Sequence, residues 1–373
     1  MRAVGLAILG AALAFAVIAA PSLAGPAGSP SGPLPAVFTM TNSASGNQIV
    51  EFERATSGTL TWVANFSTGG TGTGASLADQ GSLALTSNHQ WLLVVDAGSN
   101  QVSVLKVGQS GGLPWLTLTD VVGSGGLLPV SIAIHDDLVF VLNDGSSISQ
   151  GDIAGFTLAS NGHLHPIAGS TQALSTSGAT GAAQISFNPA GTLLAVTEKT
   201  TSLIDVYAVS SSGVTHPAIS HASQGSTPYG FAFSPSGTLV VSEAGPGSLS
   251  SYSVGPHGFW HVDSSSVTDF QGAPCWVVVS LNGAYAYTTN AHSNTISSYT
   301  IGPGGRLTLL QAVAASTGAT PTDEALTSGG HLLYVYDAGS GQIEGFGVHS
   351  DGTLVWETTV GGLVPTAEGL VAI

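Results

Sequence analysis

Seven acids or amides stand at the ends of apolar runs: Asn42, Asp96, Asn143, Glu198, Glu243, Asn290 and Asp337. Two carboxylates gathered in a partly dry site can be driven to different pKa values and divide the roles of acid and base. Glu198 and Glu243, from adjacent runs, are therefore the leading catalytic pair. Lys199 is the one cation beside these ends and suits a developing oxyanion, while Asp323 and Asp337 keep the surroundings acidic. Tyr229 and Trp276 offer flat faces for a sugar or other ring, and Gln184 and Asn290 offer neutral hydrogen-bonding groups. His292, just past Asn290, is placed to act as a base. The plainer role for strand-ending Asp, Glu and Asn is to bond the exposed amides of the following turn. Glu198, Glu243, Asn143 and Asn290 would make an oxygen-only ligand set for calcium or magnesium, but no compact loop motif accompanies them and no cofactor is expected. His163 and His165 read as surface residues of an outer strand, and Cys275 as a small core residue.

The elements that must position these groups follow from their spacing. Successive strand-ending residues lie 54, 47, 55, 45, 47 and 47 residues apart. After each comes a tight turn and then apolar residues at offsets 0, 3 and 5, aliphatic, aromatic and aliphatic in most repeats, as in Ile204/Tyr207/Val209, Ile296/Tyr299/Ile301 and Ile343/Phe346/Val348, with Val102/Leu105/Val107 in the second repeat and Ile49/Phe52 in the first. A four-stranded blade needs about 40 to 50 residues, so the period predicts an all-β, seven-bladed β-propeller of antiparallel blades. Before most of the runs stands a further strand opened by proline, at Pro228, Pro274 and Pro321, which should be the innermost strand of its blade. The first repeat lacks that strand, and a spare one lies at Pro365 to Ile373. The carboxyl-terminal strand is thus expected to complete the first blade and close the ring.

The chain has 373 residues, 51 of them glycine, and a formal net charge of −16. Residues 1–24 read as a signal peptide, 25–35 as a Pro/Gly/Ser tether, and 36–373 as the propeller. A secreted or periplasmic protein is expected, with no stable membrane span once the signal is cleaved. Four cations would remain beyond the signal, Arg54, Lys106, Lys199 and Arg306, against 21 acids. Nucleic acid binding needs clustered Lys and Arg to release counterions, so no nucleic acid partner is expected. One cysteine excludes an internal disulfide framework. Neither a nucleophile elbow nor a phosphate-binding glycine loop is found, and a monomer is expected.

From Gly181 to Val209 the chain reads GAAQISFNPAGTLLAVTEKTTSLIDVYAV, and the pattern continues through TPYGFAFSPSGTLVVSEA, CWVVVSLNGAYAYTTN and PTDEALTSGGHLLYVYD. This resembles the lactonase-type seven-bladed propellers, the group of bacterial phosphogluconolactonases and fungal carboxymuconate cyclases, over nearly the whole mature chain. The resemblance implies a lactone-hydrolysing site at one mouth of the central channel, with Glu198 matching the family's glutamate. Where the family carries an Arg-His pair before F-x-P-x-G, this chain has Ala183 and Gln184. Alanine cannot polarise a lactone carbonyl, and glutamine is no base at neutral pH.

Two functions stay open on these residues. One is a secreted enzyme acting on a small, non-phosphorylated lactone. In it Glu198 or Glu243 would activate water, Lys199 or Gln184 would steady the oxyanion, and Tyr229 and Trp276 would cover the ring. The other is a catalytically inactive propeller that holds a sugar-like ligand, glycan or protein at its rim.

Overall fold

A computed structural model describes residues 34–373 except 147 and 148. The expected signal peptide and nearly all of the tether lie outside the described residues. Among the described residues, strands form seven antiparallel sheets, and the only helical elements are single 3-10 turns at Pro256–Gly258 and Pro303–Gly305. Each sheet is one blade, running from an inner strand at the channel to an outer strand at the rim.

Blade 1 carries Ala36–Met40, Gln48–Arg54 and Leu60–Ser67, with Glu368–Ala372 as its inner strand. This is the expected ring closure. Phe38 pairs with Val371 and Val37 with Ala372, and the Arg54 Nε–H donates to the Ile373 main-chain oxygen at 3.0 Å. The closing strand starts at Glu368, because Pro365 to Ala367 make a turn. It is thus Glu368 that arrives at the channel. Closure removes the two open sheet edges that would otherwise template aggregation.

In blades 3, 5, 6 and 7 the inner strand opens on proline, at Pro129, Pro228, Pro274 and Pro321. In each, that proline faces the strand-ending residue of its neighbour: Asn143, Glu243, Asn290 and Asp337. Just after the proline each ladder slips by one residue, leaving Val130, Cys275 and Thr322 without a register partner in blades 3, 6 and 7 and Tyr229 and Gly230 in blade 5. Such bulges bend the strand and re-aim the side chains beside them. The offset-3 aromatics lie between blades: Tyr207, Tyr252, Tyr299, Phe52, Phe156 and Phe346 are all at most 2% exposed. Such rings each bury a large apolar area in the clusters that hold one blade on the next.

Two blades depart from the period. Blade 3 breaks its outer strand into Leu164–Pro166 and Gln172–Ala173, which accounts for part of the 55-residue spacing. Blade 2 has only Leu83–Leu85 as its inner strand, and the residues before it lie inside the channel.

Candidate functional site at the channel mouth

The strand-ending groups are wholly buried, and each is hydrogen-bonded within its own blade or to an adjoining loop. Glu198 accepts from the Ser175 amide at 2.9 Å, from the Ser175 hydroxyl and from Thr201 Oγ1 at 2.6 Å. Glu243 accepts from Ser223 Oγ, the Gly225 amide, Ser248 Oγ and the Tyr252 hydroxyl. These two carboxylates share no hydrogen-bonding partner. Asp205, beside Glu198, is pushed up to about 6 by burial, and the Glu198 charge adds to the effect. Asp96 is held by Asn47, Thr68 and Ser103. Asn290 donates to Thr295 and Ser297. Asp337 accepts from the Gly318 amide and Gln342, and burial raises it to about 7. One structural job recurs at five of the seven positions: Asp96, Asn143, Glu198, Glu243 and Asp337, each at the end of a second strand, clasp the chain arriving from the blade before.

Across the channel runs the segment from Leu77 to Gly81. The Leu77 amide donates to Glu368 Oε1 at 2.9 Å, and the Gln80 amide donates to the Ala183 carbonyl at 3.0 Å. The Trp276 indole N–H donates to the Asp79 carbonyl at 2.7 Å. Gln80 reaches blade 6, where its Nε2 donates to the Val277 carbonyl at 2.9 Å and its Oε1 accepts from the Val277 amide at 3.0 Å. Ser131 Oγ donates to the Gln80 carbonyl at 2.6 Å. A Cβ on Gly230 would lie 2.1 Å from Gln80 Oε1, so this crossing requires glycine at that inner-strand position. Blades 3, 4, 6 and the closing strand thus all grip one strap.

Lys199 belongs to the same construction. Its ammonium donates to the Ala78 carbonyl at 2.5 Å and the Ala182 carbonyl at 3.2 Å, and lies 4.8 Å from the centre of the Tyr229 ring. Burial lowers its pKa, against the opposing pull of Asp144 and Asp79. Three further acids surround the strap. Asp79 and Asp323 are each 2% exposed. Burial pushes Asp79 well up, and the neighbouring Glu368 and Asp323 push it further. Burial likewise raises Asp323, and lifts Glu368 to about 7. Neither carboxylate oxygen of Asp79 is hydrogen-bonded by another residue.

The structure therefore brings Lys199, Tyr229, Trp276, Asp323 and Gln184 to the channel and leaves Glu198, Glu243, Asn290 and Asp337 in separate turns between blades. Tyr229 and Trp276 pack on each other, with centroids 5.1 Å apart, and are 7% and 3% exposed beneath the strap. Gln184 uses its Oε1 to accept from the Phe231 amide of blade 5 at 2.6 Å. His292 is exposed in the turn after Asn290. Cys275 is buried and its thiol is pushed up to about 12, an unreactive setting. His163 lies 3.4 Å from Asp120 at the surface of blade 3. Among the described residues no group of three or more His, Cys, Asp or Glu is arranged to hold a metal ion, and no helix is long and apolar enough to cross a membrane.

Sequence reasoning missed Asp79, Gln80 and Glu368. The available signal was the 54-residue first spacing, whose surplus falls in the Gly/Ser/Thr-rich stretch 69–76 just ahead of the strap. Beyond the mouth, two adjoining hollows of about 790 and 420 Å³ open over blade 1 and share Thr41, Asn65 and Val364.

Comparison with known proteins agrees with this architecture. Three solved structures each share 91% of this chain and 99% of their own. They are a candidate 6-phosphogluconolactonase of Bacteroides uniformis (TM-score 0.73, 17% identity), a Lactobacillus plantarum protein (0.72, 18%) and the periplasmic gluconolactonase of Pseudomonas aeruginosa (0.70, 17%). At such identities the likeness is one of fold. No curated protein matches the sequence. The profile described as "Lactonase, 7-bladed beta-propeller" matches residues 150–258 and 260–363, together more than half of the chain. On that match, the chain belongs to the lactonase family of seven-bladed β-propellers.

Proposed function

We propose that this lactonase-family propeller is an exported ligand-binding protein that does not hydrolyse lactones. The observation that carries this reading is the strap: the place where a lactone would enter the mouth is crossed by Leu77 to Gly81, and Lys199 is committed to the Ala78 carbonyl of the strap and the Ala182 carbonyl of its own blade's inner strand. An oxyanion needs a donor that is free when charge develops. A general base needs a lone pair facing water, whereas Glu198 and Glu243 are each saturated by serine, threonine and amide donors. The Ala183/Gln184 replacement points the same way, since Ala183 is fully buried and Gln184 bridges blades 4 and 5.

Hydrolysis of a small neutral lactone has one observation in its favour. Asp79 is a buried acid without a partner from another residue, raised in pKa, and within electrostatic reach of Lys199, which is the kind of perturbed group that catalytic sites collect. A pH-stat panel of neutral and phosphorylated five- and six-membered lactones separates the two readings. The expected result is no turnover above the spontaneous rate. Turnover by the unmutated protein that disappears in Glu198→Gln, Lys199→Ala or Asp79→Asn would replace the binding reading with the lactonase one. Export rests on residues 1–24, and released protein should begin near Gly25 on amino-terminal sequencing.

A further inference from the structure

We propose that the paired hollows over blade 1 form a binding site for a neutral oligosaccharide, with Trp62 as its stacking platform. Trp62 lies on the outer strand Leu60–Ser67, opposite Phe52. It is 59% exposed and lines the smaller hollow together with Asn65, Val50, Phe52 and Leu363. A relay along the blade holds it in place. Its indole N–H donates to Asn65 Oδ1 at 3.0 Å, and Asn65 Nδ2 donates to Gln48 Oε1 at 3.2 Å. An aromatic ring fixed in this way loses little further freedom when a ligand stacks on it.

The larger hollow continues from Asn65 past Gln48, Ser67, Thr41 and Thr366. Both hollows have volumes usual for small-molecule sites. Their chemistry selects the ligand class. The linings consist of short hydroxyl and carboxamide side chains, backbone, a few aliphatic groups and two aromatics, the exposed Trp62 and the buried Phe52, without a single charged residue. A phosphate, a uronic acid or an amine would give up its hydration and gain no counter-charge. A neutral sugar chain matches on both counts: its ring C–H faces can stack on indole, and its hydroxyls can pair with Asn, Gln, Ser and Thr. The site does not include Lys199, Asp79 or the strap, so it stands whether or not lactones are hydrolysed at the mouth.

Blade 7 provides an internal control. Trp356 lies opposite Phe346, as Trp62 lies opposite Phe52, is 58% exposed, and has its indole N–H bonded to Thr359 Oγ1 at 3.2 Å. It lines neither hollow. The test is fluorescence and calorimetric titration of the purified protein with tetra- to hexasaccharides of β-1,4-glucose, β-1,4-xylose, β-1,4-N-acetylglucosamine and α-1,4-glucose, with oligogalacturonate as the charged counterpart. At least one neutral series should bind. Trp62→Ala should weaken it tenfold or more and Asn65→Leu severalfold, while Trp356→Ala should leave it unchanged, all three folding with unaltered circular dichroism. The inference is overturned if no neutral series binds, if only oligogalacturonate binds, or if Trp62→Ala and Trp356→Ala behave alike.

Discussion

Glu51 should make the protein markedly more stable in mild acid than in mild base. It lies in the second strand of blade 1, opposite Phe38 and Ala64, on the same side of the strand as Ile49, which belongs to the core shared with blade 2. Its side chain is fully buried and neither carboxylate oxygen has a partner. Burial alone pushes its pKa from 4.5 to about 8. The folded chain therefore holds this proton up to about pH 8, whereas the unfolded chain releases it near 4.5. The associated stability is complete below about pH 4.5 and is lost as pH rises towards 8. At about 1.4 kcal/mol per pH unit, the loss across that window is on the order of 3 to 5 kcal/mol, allowing for some relaxation and water entry. Glu51→Gln keeps the shape and removes the charge. Calorimetric melting from pH 4.5 to 8.5 should show the unmutated protein losing several degrees, to which the other raised acids Asp79, Asp323, Asp337 and Glu368 also contribute, and the variant should recover Glu51's share of that loss at pH 8.5 with little change at pH 4.5. A wild-type melting temperature that rises across this range, or a variant no more stable than the parent at pH 8.5, would refute the reasoning.

Gln80→Ala should cost about 2 to 4 kcal/mol, because it deletes two hydrogen bonds and leaves the buried Val277 amide and carbonyl unpaired. Chemical denaturation would read this directly, and a loss below about 0.5 kcal/mol would mean that the strap is not held through that side chain. Deleting Pro365 to Ile373 removes the closing strand, including the buried Leu370 and Ile373, each worth about 1.5 to 3 kcal/mol, along with its pairing to Ala36–Met40. The truncated chain should aggregate or lose its cooperative melt, and a melt matching the full chain would show that the ring does not depend on this closure.

The repeat period, the offset-3 aromatics and the proline-opened inner strands made the seven blades legible, because each blade is built largely from local hairpins whose residue pattern alternates with the strand. Ring closure was legible for a related reason: a strand missing at one end and spare at the other leaves one arrangement without open edges. The seven strand-ending groups were also visible as a set. Whether they would converge on a ligand was not, since the end of a strand can face the channel or the seam between blades, and a register slip of one residue decides which. The position of Pro321 against Asp337 sends Asp323 inward, while Glu198 and Glu243 turn to Ser175, Thr201, Ser223 and Ser248. The strap was hidden because Leu77, Asp79 and Gln80 precede the shortest inner strand, and their partners Glu368, Trp276, Ala183 and Val277 lie about 100 to 290 residues away along the chain. Trp62 with its hollow was hidden for the same reason: Gly361 and Leu363, on the far side of that hollow, belong to another blade. The order of blades was determined by sequence alone, whereas the tertiary structure decided what fills the channel and what stays open at the rim, because those surfaces exist only once distant segments meet.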